Sequence, residues 1–399
     1  RLEFKTKTMK ILKQIGSIGI GLLTISSVYA CNTNERRKPI ELIAHANNPL
    51  EPKKDNTVQI ALLLDTSNSM DGLINQAKSQ LWDIVNEFSL AKCGNDTRPN
   101  LQIAIYQYGN DNLSASEGYI QQVLGFSSDL DEISEKLFSL TTNGGEEYCG
   151  KVLQTSLQQL PWNQNPDLLR MIFIAGNEPF DQGRYNYRNA TTNANEKGVT
   201  VNTIFCGNYE LGINTDWKKG ASLTGGEYMA IDHNKKVVHI NTPYDDIIIK
   251  LNSKLNTTYI SYGTLGREKY QAQKVQDENA LEMEEAIAVK RAVSKSSRLY
   301  NNKKWDLVDA YADEEFEIST VEKDQLPNEL KNKNEKEIKD YIESKKAERI
   351  QIQKEIQEYN SKRLAYIAEH QNADKSGELE NAMIKAIKKQ AESKNYSWE

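Results

Sequence analysis

The sequence predicts an α/β fold, a doubly wound and mostly parallel sheet, followed by a charged α-helical tail. Runs such as Val58 to Leu64 and Leu169 to Ala175 are almost continuously apolar, which suits strands buried on both faces. Segments of helical period alternate with these strands over about 200 residues, the order expected of an open sheet with helices on both faces. Beyond Arg267 the composition turns to Lys, Glu, Asn, Gln and Ala, with Pro327 the only proline.

The elements follow in order. Val58 to Leu64 is a central strand, and Leu73, Ile74, Ala77, Leu81, Ile84, Val85 and Phe88 recur at the spacing of a helix with one buried face. Leu101 to Tyr108 and Tyr119 to Leu124 are strands joined through the turn residues Gly109-Asn110-Asp111-Asn112. Helices are predicted over Leu130 to Leu140 and from Lys151 to Leu160, where Pro161 stops the second. Strand Leu169 to Ala175, helix Tyr185 to Lys197, strand Val199 to Phe205 and a short helix Asp216 to Leu223 come next. Glu227 to Ile231 with Lys236 to Ile240 suggests a final strand or edge hairpin, and Tyr244 to Leu255 a closing helix. The tail is read as helical in two blocks, Glu268 to Tyr311 and Glu335 to Glu392, forming either a coiled stalk or a hairpin docked on the domain.

Length and composition bound the function. At 399 residues, with 38% hydrophobic residues and a mean hydropathy of -0.67, the chain reads as a packed unit joined to a more polar one. A net charge of -6 gives no basic field for nucleic acid, and Lys385, Lys388 and Lys389 read as solvated helix surface.

The N-terminal stretch is a targeting segment. Lys10 and Lys13, the apolar run Ile15 to Val28 and the small residues before Cys31 make residues 9–30 a signal peptide. Val28-Tyr29-Ala30-Cys31 resembles a bacterial lipobox, which implies lipid anchoring at Cys31 and a place on the cell envelope. The alternative is ordinary secretion after cleavage near Ala30. Residues 31–56, with Pro39, Pro49 and Pro52, read as a tether.

The chemistry concentrates at Asp65-Thr66-Ser67-Asn68-Ser69, after the first strand. One carboxylate and two hydroxyls at the carboxyl end of a central strand form a hard-oxygen site suited to a Mg²⁺-type ion. The plainer alternative is a strand-to-helix turn whose serines cap the next helix. No G-x-G-x-x-G, phosphate-binding loop or G-x-S-x-G elbow is present. His45, His233, His239 and His370 form no zinc pattern.

Asp65-Thr66-Ser67-Asn68-Ser69 after an apolar strand and before an amphipathic helix resembles the metal-ion-dependent adhesion site (MIDAS) of von Willebrand factor A domains. The resemblance covers residues 57–266, leaving 267–399 as the tail. It implies that Asp65, Ser67 and Ser69 hold Mg²⁺, or Mn²⁺ or Ca²⁺. In the third loop, Glu147 and, more weakly, Thr142 are candidates for the family's threonine. In the fourth, Ala175-Gly176-Asn177 lacks the family's aspartate, and Asn177 or Glu178 is expected to take its place through water. The resemblance further implies a non-enzymatic module that binds a protein partner through an acidic residue at the ion, with no small-molecule cofactor. Alternatives are a scaffold oligomerising through the tail and a metal-dependent hydrolase. Cys149 and Cys206 both fall at the carboxyl edge of the sheet, so a disulfide between them is expected; the alternative is that Cys93, Cys149 and Cys206 are buried thiols.

Overall fold

The computed structural model describes residues 56–94, 97–235, 239–370 and 378–398. The expected signal peptide, the expected lipidation site Cys31 and the expected tether through residue 55 lie outside them. Strand β1 (Val58–Asp65) is buried along its whole length, because it runs between two parallel neighbours, β3 (Leu101–Tyr108) and β5 (Arg170–Gly176). Beyond β3 lies β4 (Ile120–Ser127), antiparallel to it. Beyond β5 lie β6 (Thr200–Cys206) and β7 (Tyr228–Ile231), both parallel. The sheet order β4-β3-β1-β5-β6-β7 therefore reverses direction at β1, the point where doubly wound sheets open a crevice at their carboxyl edge.

Alternation along β1 sorts two cores. Ile60, Leu62 and Leu64 face α1 (Asp71–Leu90), while Ala61 and Leu63 face α3 (Cys149–Gln159) and α4 (Tyr187–Glu196). The seven apolar positions read as the buried face of the first helix are all buried in α1. Asp129 caps α2 (Leu130–Phe138), accepting from the Asp131 and Glu132 amides at 3.1 Å each. Two short helices, α5 (Tyr209–Asn214) and α6 (Trp217–Ser222), lie between β6 and β7. The first escaped the sequence reading because its one turn carries too few apolar positions to show a period. The expected second hairpin arm is not a strand at His239 and Ile240, and residues 236–238 lie outside the described set.

The tail is not a separate stalk. After α7 (Asp245–Asn256), helices α8 (Gly266–Met283), α9 (Glu285–Lys295) and α12 (Glu378–Glu392) pack on α1 and α2 over that side of the sheet, α11 (Glu335–His370) packs on α7 and α9, and α10 (Leu307–Tyr311) packs on α11. The described residues form one compact unit. Ala280, Ile287, Val293, Ile352 and Ile356 join the same core as Trp82 and Phe88. Met383 of α12 touches the pocket lined by Leu62, Phe173 and Ile204 of the sheet. The last strand, β8 (Tyr396–Trp398), pairs antiparallel with β2 (Ala91–Cys93) at the end of α1. The first expected block is broken where Glu284 is fully extended and again before α10. A smaller core brings Ile260, just before the tail, together with Leu307, Leu330 and Ile342 of the tail.

Charged residues fasten the tail as much as apolar ones do. Arg291 bridges Asp131 of α2 at 2.7 Å and Asp277 of α8 at 2.6 Å. The fully buried Lys295 meets Asp277 at 2.7 Å, and the Tyr300 hydroxyl donates to Asp131 at 2.6 Å. Burial alone would raise the Asp277 carboxyl, but Lys295 and Arg291 hold it well below the usual carboxylate range. Arg349 repeats the device with Asp306 and Asp309, both at 2.7 Å, and Arg363 with Asp245 at 2.8 Å.

Candidate metal centre

Register brings the site together. Asp65 lies opposite Tyr108 and Leu64 opposite Ala175, so the β1, β3 and β5 ends share one edge. Asp65 is fully buried and accepts from the Ser67 amide at 2.8 Å. The Thr66 amide donates to Tyr108 O at 2.8 Å, and the Asn143 amide donates to Thr66 O at 3.0 Å, fixing the turn from both sides. Neither serine caps a helix. Ser67 precedes a short 3-10 turn, Asn68–Met70, without a side-chain capping bond, and α1 begins after Met70 without one. The hydroxyls are thus left facing the edge of the sheet.

Glycines let the other loops close on Asp65. A Cβ on Gly109, which has φ of 76°, would meet Glu147 Cγ at 2.7 Å and Asp65 Oδ1 at 2.9 Å, so those two side chains converge on the same spot. A Cβ on Gly145 would meet the Gly109 carbonyl oxygen at 2.6 Å, and the Asp111 amide donates to Gly144 O. This packing turns Glu147 inward to 7% exposure while Glu146 stays exposed. A Cβ on Gly176 would meet the Tyr108 hydroxyl at 2.5 Å and Asp65 Oδ2 at 3.0 Å.

The predicted residues divide accordingly. Asp65, Ser67 and Glu147 lie together and buried. Ser69 is exposed at the rim and accepts from Asn177 Nδ2 at 3.2 Å. Glu178 is near enough for its charge to act on both Asp65 and Glu147. Thr142 does not join them, because its hydroxyl donates to Asp71 at the start of α1.

Polar atoms without partners show what the site lacks. Asp65 Oδ2, Ser67 Oγ and Asn177 Oδ1 are buried without a hydrogen bond of ordinary geometry, although the Ser67 hydroxyl lies near enough to both Asp65 and Glu147 to favour their charged forms; buried oxygens held this way are costly unless something positive satisfies them. Burial, with a contribution from Glu178, pushes the Asp65 carboxyl up to about 7. Burial and repulsion from Asp65 and Glu178 push Glu147 up to about 8. No three His, Cys, Asp or Glu side chains among the described residues form a metal cluster by themselves, so an ion here needs the serine hydroxyls as well. Oxygen donors of this kind fit a hard cation such as Mg²⁺, Mn²⁺ or Ca²⁺.

The expected Cys149–Cys206 disulfide does not form. Both residues are free, buried thiols, and Cys93 is free and half-buried. Cys206 points into the α1-side core with Ile204, whereas Cys149 lies in the α3-side core with Leu153, so the sheet stands between them. Burial raises both thiols well above their usual range. Cys149 sits instead 3.7 Å from the Tyr108 hydroxyl, which donates to Ala175 O at 2.9 Å.

Three further residues build the site. Tyr108 braces β5 beneath Gly176, Gly109 gives Glu147 room, and buried Asn110 donates to Thr66 O at 3.3 Å and Thr141 O at 2.9 Å. Their only mark in sequence is turn chemistry at the end of an apolar strand, which does not say what the turn holds.

Residues 59–215, from β1 through α5, match the von Willebrand factor type A domain, so the chain carries that domain and its fold. No curated protein matches the chain. Similar solved structures include proximal thread matrix protein 1 from the mussel byssus, at 16% identity over 45% of this chain and 43% of that one, with a TM-score of 0.35. That protein is also known with a zinc-occupied MIDAS motif. This chain therefore spans less than half of the mussel protein. BatB, a conserved hypothetical protein from Bacteroides thetaiotaomicron, is 17% identical over 44% of this chain and 90% of that one, with a TM-score of 0.34. The SpRpn10 VWA domain is 12% identical over 44% and 88%, with a TM-score of 0.33.

Proposed function

We propose that this chain is a non-enzymatic, metal-dependent protein-binding module, in which Asp65, Ser67 and Ser69 hold Mg²⁺ or a similar ion with Glu147 beside them. The observation that carries the reading is the pair of buried, unpartnered oxygens Asp65 Oδ2 and Ser67 Oγ at the carboxyl end of β1. A bound ion supplies positive charge that fixes the four loops and can attract an acidic residue of a partner. The chain's own residues orient the site: Gly176 and Tyr108 set the height of the β5 loop, and Asn177 holds Ser69. Von Willebrand factor A domains commonly mediate interactions of this class.

The signal peptide at 9–30 and the lipobox-like Val28-Tyr29-Ala30-Cys31 support anchoring at Cys31 in a bacterial envelope as part of the same proposal. A crosslinking pulldown from the native envelope, comparing wild type with Asp65→Ala, tests the binding role. Partners recovered by the wild type and lost by the variant support it, and an unchanged set refutes it. Palmitate labelling that survives Cys31→Ser refutes the anchor.

A further inference from the structure

We propose that Glu147 is a resident carboxylate ligand of the Asp65 site, so that the ion is satisfied from within the chain and takes a partner's acidic residue only when Glu147 gives way. The inference rests on the metal-dependent reading above and specifies how a partner gains access to the ion.

Glu147 is held at the site by its loop. Gly144 accepts from the Asp111 amide, and Gly145 packs so closely on the Gly109 carbonyl that a Cβ there would lie 2.6 Å from its oxygen. The chain then continues into α3, which starts at Cys149. Between these anchors Glu146 faces solvent and Glu147 faces Asp65. Thr142, the loop's other candidate ligand, is committed to Asp71. Beside Glu147, the buried oxygens Asp65 Oδ2 and Ser67 Oγ keep acceptor capacity that no hydrogen bond of ordinary geometry takes up.

Charge counting gives the consequence. A divalent ion beside Asp65 alone keeps one positive charge and draws a carboxylate. Beside Asp65 and Glu147 it is neutralised, and Glu178 adds a further negative charge nearby. An incoming carboxylate is then attracted only if it replaces Glu147. The loop is thereby an internal competitor, and the identity of residue 147 sets how readily the ion takes an external ligand.

The test uses the full chain, Mn²⁺ as the ion probe and acetate as the external carboxylate, followed by water-proton relaxation and electron paramagnetic resonance. Glu147→Gln is expected to weaken Mn²⁺ binding by about tenfold or more. Glu147→Thr is expected to bind Mn²⁺ and to show an acetate-dependent change in the Mn²⁺ signal that the wild type lacks. Equal Mn²⁺ affinity in wild type and Glu147→Gln would overturn the proposal. So would an acetate response in the wild type as strong as in Glu147→Thr, an arm that needs only that folded variant for comparison. If Glu147→Thr does not fold, a clear acetate response of the wild type alone still overturns it. A wild type that binds no Mn²⁺ removes the ion-site reading itself, an outcome distinct from the loss of Glu147's role.

Discussion

Asp65→Asn should make the metal-free protein more stable at neutral pH and, in the same substitution, abolish its response to Mg²⁺. Asp65 is fully buried, and burial pushes its carboxyl up to about 7, against about 3.9 for a free aspartate. Because the folded value is the higher one, the folded state binds the extra proton, and stability falls as pH rises from about 4 to about 7. At about 1.4 kcal/mol per pH decade, the cost of the charge is roughly 1.5 kcal/mol at pH 5 and about 4 kcal/mol at pH 8. Asparagine keeps the shape without the charge. Urea denaturation in chelator should therefore show the variant more stable than the wild type, by about 2.5 kcal/mol more at pH 8 than at pH 5. With Mg²⁺ at about 100 times its Kd, the wild type should gain about 2.7 kcal/mol and the variant nothing. A variant less stable than the wild type at pH 8 in chelator, or a difference unchanged between the two pH values, would refute the reasoning.

Gly176→Ala would place a Cβ against the Tyr108 hydroxyl and Asp65, so a loss of about 1–3 kcal/mol in urea is expected, together with weaker Mg²⁺ binding. Arg291→Met leaves buried Asp131 without its cation and Asp277 with Lys295 alone and should cost about 3–5 kcal/mol; a stability within about 0.5 kcal/mol of wild type would show that the tail is not fastened this way. A digest under non-reducing conditions should return the Cys149 and Cys206 peptides unlinked, read by mass spectrometry. Mg²⁺ affinity should fall by more than about tenfold from pH 8 to pH 6, because Asp65 and Glu147 must lose protons whose release falls near 7 and 8. Isothermal titration at the two pH values checks this.

What could be read from sequence was what is local. The continuous run Val58 to Leu64 and the period of α1 reflect burial on every side of β1, and Asp65, Ser67 and Ser69 fall within five residues of one another. Glu147 is 82 positions from Asp65, and the two meet through the backbone packing of Gly109 and Gly145, which no periodicity records. The cysteines failed for a different reason. Their common edge was inferred correctly from the strand order, but pairing also requires a common face, and Cys206 shares its parity with Ile204 on the side away from Cys149. For the tail, sequence left a stalk and a docked hairpin both open, because charged residues on a helix ordinarily read as solvated, whereas Arg291, Lys295, Arg349 and Arg363 are buried against carboxylates of other segments. The pairing of β8 with β2 joins residues about 300 positions apart, a contact that local patterns do not carry.

The central claim is that the Asp65 turn holds a divalent cation. Calorimetric titration of the full chain with Mg²⁺ at pH 8 tests it most directly. One saturable binding event in the wild type, absent in Asp65→Ala, is the predicted result. No heat with Mg²⁺, Mn²⁺ or Ca²⁺ in the folded wild type would contradict it.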